Sequence, residues 1–79
     1  MIKVLFFGPV ADRVGATAVQ VEFQAGMRLH DLHAQMQAMY PAAFEIVCFT
    51  AVNGAHTRDM QLLLADHSEV VFMSKFSGG

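Results

Sequence analysis

The sequence predicts an α+β domain in which one main helix covers one face of a mixed sheet of four to five strands. Short apolar runs rich in β-formers near both ends of the chain, one alternating segment and one segment with helical spacing predict this class. With 79 residues, the chain is expected to form a single domain, residues 1–79. A domain of this size buries only about 60% of the surface of its unfolded chain, so we expect no large enclosed active site.

Apolar and alternating segments predict the strands. They lie at residues 2–7, 19–23, 46–52 and 70–73, with a further short strand at residues 60–64. The first run is interrupted only by Lys3, which is typical of a central strand. In the second, polar residues alternate with Val19, Val21 and Phe23, as in a strand with one solvent-exposed face. Residues 10–15 have the character of a loop or a single helical turn.

One segment has the spacing of a main helix. Its apolar face collects Leu29, Leu32, Met36 and Tyr40, and Pro41 ends the helix. The predicted order along the chain is therefore strand, strand, helix, strand, short strand, strand.

Two turns and the ends of the chain suggest the topology. Asn53-Gly54 predicts a tight turn because both residues tolerate positive φ, and the polar residues 66–69 predict a turn before the last strand. If the first and last strands pair in parallel at the middle of the sheet, residues 76–79 leave the domain from a central strand as an extended C-terminal tail.

The last strand is apolar on both of its faces. Alternation places Val70 and Phe72 on one face and Val71 and Met73 on the other, and leaves open which pair faces the helix. The opposite pair is a candidate surface for a partner. A composition that is 54% hydrophobic and 15% charged also predicts an apolar interface on so small a domain.

Charge and hydropathy argue against several classes of partner. The net charge is −2 and the five basic residues are scattered, so we expect no nucleic-acid binding. No apolar run approaches the roughly 20 residues needed to cross a bilayer, and the start of the chain resembles a strand rather than a signal peptide. We therefore expect a cytoplasmic protein without a membrane partner.

Isolated cysteine and histidine side chains supply weak candidates for chemistry. Cys48 lies in an apolar run, where a thiol is expected to be a small buried hydrophobe. His30 and His33 are three residues apart on the predicted helix, the spacing of half a metal site, but two ligands do not hold a metal firmly. We expect no metal site.

Several motifs in order resemble one family over nearly the full length. They are the strand at residues 2–7, the hairpin Ala51-Val52-Asn53-Gly54, the turn at residues 66–70 and the ending Ser77-Gly78-Gly79. In these the chain resembles the ubiquitin-like sulfur carriers, and most closely the small subunit of molybdopterin synthase. The resemblance implies a ubiquitin-like β-grasp fold.

Two positions depart from the family pattern. Ser74 and Lys75 stand where the small subunit typically has a pair of prolines, which would have fixed φ before the tail. His67 stands where the family usually has glycine, although histidine occupies left-handed conformations more often than most residues.

The resemblance implies a function for the C-terminal tail. A terminal carboxylate is ionised at pH 7 and a poor electrophile, so it must be activated. In the family, a ubiquitin-activating-like adenylyltransferase uses ATP to adenylate the last glycine, here Gly79, which then becomes a thiocarboxylate. The resemblance implies that Gly78, Ser77, Phe76 and Lys75 contact the partner. When fully extended, the residues from Phe76 to Gly79 span at most about 14 Å.

The closest resemblance implies a non-catalytic sulfur-donor subunit with no bound cofactor. Its partner is the large subunit of molybdopterin synthase, which holds the active site where sulfur passes to cyclic pyranopterin monophosphate to form molybdopterin. The alternatives are a sulfur carrier for thiamine thiazole or sulfur amino acid synthesis, a ubiquitin-like protein modifier, and a plain binding domain.

Overall fold

The computed structural model describes residues 1–75, so the predicted tail at residues 76–79 lies outside the described residues. The elements are β1 (Ile2–Phe6), α1 (Pro9–Val14), β2 (Ala18–Val21), α2 (Leu29–Met39), α3 (Pro41–Phe44), β3 (Phe49–Val52), β4 (Ala55–His56) and β5 (Glu69–Met73). The five strands form one sheet in the order β2-β1-β5-β3-β4. The predicted α+β class, with a mixed sheet and one main helix, is confirmed.

The first and last strands pair in parallel at the centre of the sheet, which meets the condition stated above for a tail leaving a central strand. Val4 lies opposite Val70 and Phe6 opposite Phe72, while β2 and β3 flank this pair in antiparallel orientation. The pairing begins at the Lys3 amide, which donates to the Ser68 carbonyl at 3.0 Å. The end of β5 is thereby held between two neighbouring strands.

The core lies between the sheet and the helices. Val70 and Phe72 are fully buried there, and the Phe72 ring contacts the rings of Phe6 and Phe44 with centroids 6.3 and 5.0 Å apart. The main helix α2 contributes the fully buried side chains Leu29, Leu32 and Met36, the spacing that predicted it. The helix-facing pair of the last strand is therefore Val70 and Phe72.

The segment at residues 60–64 is not the predicted strand. It makes one isolated bridge, between Arg28 and Leu63, and otherwise contacts the start of α2. The Leu62 and Met60 carbonyls accept from the amides of Leu29 and His30 at 2.9 and 2.8 Å. The first amides of a helix have no partner within the helix, and this segment supplies two of the missing acceptors.

Other boundaries differ from the prediction for local reasons. Residues 9–14 form a helix, with Pro9 in its first turn and Gly15 at φ 86° at its end. Pro41 does end α2 but also begins the short helix α3, because proline suits a first helical position. The strand predicted from residue 46 begins only at Phe49, and the fifth strand is β4, directly after the hairpin turn. Within residues 1–75 no helix is both long and apolar enough to cross a bilayer.

The turn at Asn53-Gly54 joins β3 to β4 as predicted. Both residues have positive φ, 50° and 85°, the combination that a two-residue hairpin with right-handed twist requires. Asn53 also connects the turn to the central strand, since its amide donates to the Glu69 carbonyl at 2.8 Å and its Oδ1 accepts from the Glu69 amide at 2.9 Å.

The turn before β5 keeps its shape with histidine in place of glycine. His67 has φ 67°, and its amide donates to the Met1 carbonyl at 3.1 Å. The N-terminal ammonium of Met1 donates to Asp66 Oδ1 at 2.6 Å, and this hydrogen bond lowers the pKa of the Asp66 carboxyl. The start of β1 and the turn before β5 are therefore joined.

Replacing Asn53 should separate the two roles of this residue. Asn53→Ala removes the side-chain acceptor and puts a poor left-handed residue in the turn, so we expect a loss of about 1–2 kcal/mol in the free energy of unfolding. Asn53→Gly removes only the hydrogen bond and should lose less. Urea unfolding measures both variants, and equal losses would contradict the role of φ.

Candidate functional site

The site predicted from the sequence begins where β5 ends. Lys75 is exposed in a turn two residues after Met73. The other predicted site residues, Phe76, Ser77, Gly78 and Gly79, lie outside the described residues. The described part of the site therefore consists of Ser74 and Lys75, which we call the base of the tail, and the surfaces around them.

The sheet face opposite the helices is apolar across its middle. A transverse row runs from Leu5 on β1 through Val71 on β5 to Ala51 on β3, each paired with the next in register. Val71 and Ala51 are buried but do not belong to the main core. In the next row Phe49 pairs with Met73, and the Phe49 side chain is 39% exposed.

This face opposite the helices, which we call the open face, changes from polar to apolar along the strands. The row nearest the start of β1 is polar, with Lys3 between Gln20 and Glu69. The row nearest the end of β5 is the apolar pair Phe49 and Met73. The apolar part of the face therefore adjoins the end of β5.

A groove of about 430 Å³ borders the base of the tail. It is lined by Pro9, Arg13, Glu45, Ile46, Cys48, Ser74 and Lys75. Ser74 is 6% exposed, and its Oγ has no hydrogen-bond partner within residues 1–75. A buried hydroxyl without a partner is uncommon in native proteins. The Ser74 Oγ itself has almost no accessible surface, so a molecule in the groove does not reach it.

A second groove, of about 400 Å³, lies beside the start of β3. Its lining consists of Cys48, Phe49, Thr50, His56, Thr57, Arg58 and Met60. The Phe49 and His56 rings meet edge to face with centroids 6.3 Å apart, so this groove joins the open face. Cys48 is shared by the two grooves.

The expectation that Cys48 is buried is wrong. The thiol-bearing residue is exposed, because the strand begins one residue later and Cys48 lies in the connection leading into it. Its amide donates to the Met73 carbonyl at 2.9 Å, which fixes Cys48 beside the last residue of β5. Hydropathy did not predict the exposure of Cys48, since its neighbours along the sequence are apolar.

The two helix histidines have different surroundings. His30 is exposed, whereas His33 is half-buried with its ring edge-on to Phe44 and Phe72 at 5.1 and 5.9 Å. Burial, and secondarily the charge of His30, lowers the pKa of His33. Within residues 1–75 no three His, Cys, Asp or Glu side chains come together in a way that could hold a metal ion.

Comparison of the sequence with protein families gives one assignment. The ThiS family matches residues 4–79, nearly the whole chain. The chain belongs to the ThiS family. This confirms the resemblance to the ubiquitin-like sulfur carriers that the sequence motifs predicted. Among curated protein sequences, none matches this chain significantly.

Solved structures similar to this ThiS-family chain agree on the fold. A Pyrococcus furiosus protein provisionally assigned as molybdopterin converting factor subunit 1 has a TM-score of 0.82 at 22% identity, covering 92% of this chain and 94% of its own. Small archaeal modifier protein 1 from Methanosarcina acetivorans has a TM-score of 0.79 at 21% identity, covering 99% and 95%.

A third similar structure is a complex of subunits 1 and 2 of the molybdopterin-converting factor from Helicobacter pylori. The matching chain has a TM-score of 0.73 at 22% identity, with 99% of this chain and 97% of that chain covered. At these identities the likeness establishes the fold alone. The protein has the β-grasp fold shared by ThiS-family sulfur carriers and ubiquitin-like modifiers.

The burial of His33 predicts a pH dependence of stability. A histidine with a lowered folded-state pKa stabilises the fold while neutral, so its contribution is complete above the unfolded pKa of 6.5 and is lost as the pH falls through that value and the folded pKa. We expect the free energy of unfolding to decline from pH 8 to pH 5, and His33→Gln to reduce the decline.

Urea titrations at fixed pH measure this slope. The control His56→Gln, at an exposed position on β4, should keep the slope of the wild type. An unchanged slope in His33→Gln would assign the pH dependence to other groups.

Proposed function

We propose that this protein is a sulfur carrier whose Gly79 is adenylated and thiocarboxylated, and that it serves as the small subunit of molybdopterin synthase. In this role it donates sulfur to cyclic pyranopterin monophosphate, while the active site belongs to the large subunit. The protein itself binds no cofactor, and ATP is consumed by the activating enzyme. We expect the reaction to take place in the cytoplasm.

The observation that carries the proposal is the ThiS-family match extending to the terminal diglycine on a chain with a β-grasp fold. Two similar structures add support, because they bear the names of molybdopterin converting factor subunits, one of them in complex with a second subunit. The base of the tail follows a strand that is hydrogen-bonded on both sides, which suits a terminus delivered to another protein's site.

Acyl activation explains why a carrier of this kind needs a partner. Adenylation converts one carboxylate oxygen of Gly79 into a leaving group, and the outer sulfur of a persulfide then displaces AMP to form an acyl disulfide. A thiol that attacks the S–S bond releases the thiocarboxylate and is itself oxidised to a disulfide. Two glycines remove side-chain clashes at a narrow active-site entrance. Within residues 1–75 no three His, Cys, Asp or Glu side chains come together as a metal site. We assign the catalytic groups for these steps to the partners.

The open face is the surface we assign to partner docking. The apolar part of the open face ends at the pair Phe49 and Met73, at the end of β5. One partner can therefore contact the face and receive the tail at the same time. Phe49 is the most exposed of these side chains and fits the role of an anchor that fills a partner's pocket.

Two alternatives remain open because Ser74 and Lys75 replace the expected prolines. A carrier for thiamine thiazole or sulfur amino acid synthesis would use the same activated Gly79 but a different acceptor complex. A protein modifier, favoured by the likeness to small archaeal modifier protein 1, would form an amide bond with lysines of other proteins. Co-purification with the molybdopterin synthase large subunit, with thiazole synthase, or as higher-mass conjugates distinguishes them.

The proposed activation predicts a defined change in mass. Incubation with ATP, the activating enzyme, a persulfide sulfur donor and a thiol reductant should replace one oxygen of the protein by sulfur, as measured by intact mass spectrometry. The experiment uses Cys48→Ser so that a persulfide on the cysteine cannot mimic the product.

A variant with residues added after Gly79 is the matched control. It should fold with unchanged stability but remain unconverted, because its Gly79 carbonyl is part of a peptide bond. If the unextended protein gains no sulfur, or if the extended protein still supports molybdopterin synthesis, the proposed role of Gly79 is wrong.

The assignment of the open face is tested by a pair of exposed apolar residues. Phe49→Ser should raise the carrier concentration needed for half-maximal ATP–pyrophosphate exchange by the activating enzyme about fivefold or more, corresponding to about 1 kcal/mol of lost binding. Met39→Ser, at an exposed position on α2 away from the open face, should change it less than about twofold. Thermal unfolding checks that both variants remain folded, and equal effects would refute the assignment.

A further inference from the structure

We infer that the groove bordering the base of the tail is the docking site of the Phe76 side chain, so that the chain anchors its own tail and leaves residues 77–79 to extend from it. The groove and its walls belong to the described residues, and the occupant is the next residue along the chain. The consequence for activation rests on the proposed function.

The chain runs along this groove as it leaves β5. Ser74 and Lys75 both line the groove, and Ser74 is 6% exposed. The Met73 carbonyl before them accepts from the Cys48 amide at 2.9 Å. The chain therefore stays packed against the domain after the strand ends. Phe76 follows two residues after Ser74, and two residues span at most about 7 Å, so the groove lies within reach of its ring.

The walls of the groove suit an apolar side chain. Pro9 of α1 and Ile46, in the connection between α3 and β3, line it, and most of its exposed surface is apolar. The charged side chains of Arg13 and Glu45 pair with each other at 3.6 Å, and Arg13 Nη1 also donates to the Ala42 carbonyl at 3.0 Å. The groove therefore favours an apolar occupant over a charged one.

Phe76 matches the groove in size and in chemistry. An apolar cavity of about 150 Å³ holds a benzene molecule, so a groove of about 430 Å³ takes the ring together with some adjoining backbone. Phe76 is the only large apolar side chain among residues 74–79. Its ring gains by leaving water, whereas Ser77 and the two glycines have almost no apolar surface to bury.

The open face is the competing place for this ring, and the path of the chain favours the groove. Ser74 is buried on the side of the helices, where Pro9 and Arg13 of α1 line the groove with it. Lys75 lies in a turn and still lines the groove. The chain has thus left the side of the open face at Met73 and passes the groove immediately before Phe76.

Anchoring Phe76 restricts a segment that its sequence leaves unrestricted. Neither Ser74 nor Lys75 fixes φ as proline does. With Phe76 docked, the free end is Ser77 to Gly79, which spans at most about 10 Å. A shorter free end loses less conformational entropy on entering a partner's site. Under the proposed function, docked Phe76 therefore lowers the carrier concentration that the activating enzyme needs.

The docking site is tested by nuclear Overhauser effects in the isotope-labelled full-length protein. Ring protons of Phe76 should show effects to the methyl protons of Ile46, and Phe76→Leu identifies these signals by removing them. Effects from the ring to Met73 and Phe49 instead, or no effect to any residue of the groove, would overturn the proposed site.

Melting temperatures measure whether the ring and the groove act together. Phe76→Ala should lower the melting temperature by about 2–6 °C, and by less than half as much when Ile46→Ala has already altered the groove. The matched control is Leu63→Ala, an exposed apolar position that lines neither groove, in which Phe76→Ala should keep its full effect. Equal shifts in the two backgrounds would contradict the contact. The nuclear Overhauser effects decide the site if Ile46→Ala does not fold.

The consequence for activation is tested by ATP–pyrophosphate exchange with the activating enzyme. Phe76→Ala and Ile46→Ala should each raise the carrier concentration for half-maximal exchange about threefold, and the double variant should need no more than either. Unchanged concentrations, or a rise of about ninefold in the double variant, would overturn this consequence. If the wild type supports no exchange, the proposed function fails instead, and the nuclear Overhauser effects still decide the docking site.

Discussion

The parallel pairing of β1 with β5 is the contact on which the rest of the structure depends, because it joins the two ends of the chain at the centre of the sheet. Parallel strands cannot be joined by a short turn, so all the other elements lie between them in sequence. The N-terminal ammonium of Met1 and the Asp66 carboxylate hold the start of this pair. The pairing also places the end of β5, and with it Ser74 and Lys75, beside the open face and the two grooves.

The sheet is used differently on its two faces. On one, Phe6 and Phe72 pack beneath the helices and provide the burial that a small domain needs. On the other, Val71 and Ala51 are buried outside the main core, while Phe49 in the row next to the end of β5 is 39% exposed. Within residues 1–75 the buried residues of all three helices belong to the core on the first face.

A carrier of this kind needs a terminus that reaches outward from a rigid point. β5 provides such a point because it is hydrogen-bonded to β1 on one side and β3 on the other. The connection before β3 adds a further hydrogen bond, from the Cys48 amide to the Met73 carbonyl. The same hydrogen bond places the exposed Cys48 beside the last residue of β5.

The sequence by itself determined the elements whose cause is local. The spacing of Leu29, Leu32 and Met36 predicted α2, and Asn53-Gly54 predicted the hairpin, because helix periodicity and positive φ are properties of a few neighbouring residues. Ordered motifs predicted the family through to its terminal diglycine. The parallel pairing of β1 with β5 was only a condition at the level of the residues and came with the fold that the family resemblance implies, since periodicity does not define which strands are neighbours.

Only the tertiary structure decided features that depend on distant partners. Residues 60–64 have strand-like composition but cap α2, because the unpaired amides of Leu29 and His30 lie within reach of their carbonyls. Cys48 has apolar neighbours yet is exposed, because the strand begins one residue later. Val71 and Met73 lie on the open face because the helices pack against Val70 and Phe72. Alternation along the strand defines two faces but does not say which of them the helices cover.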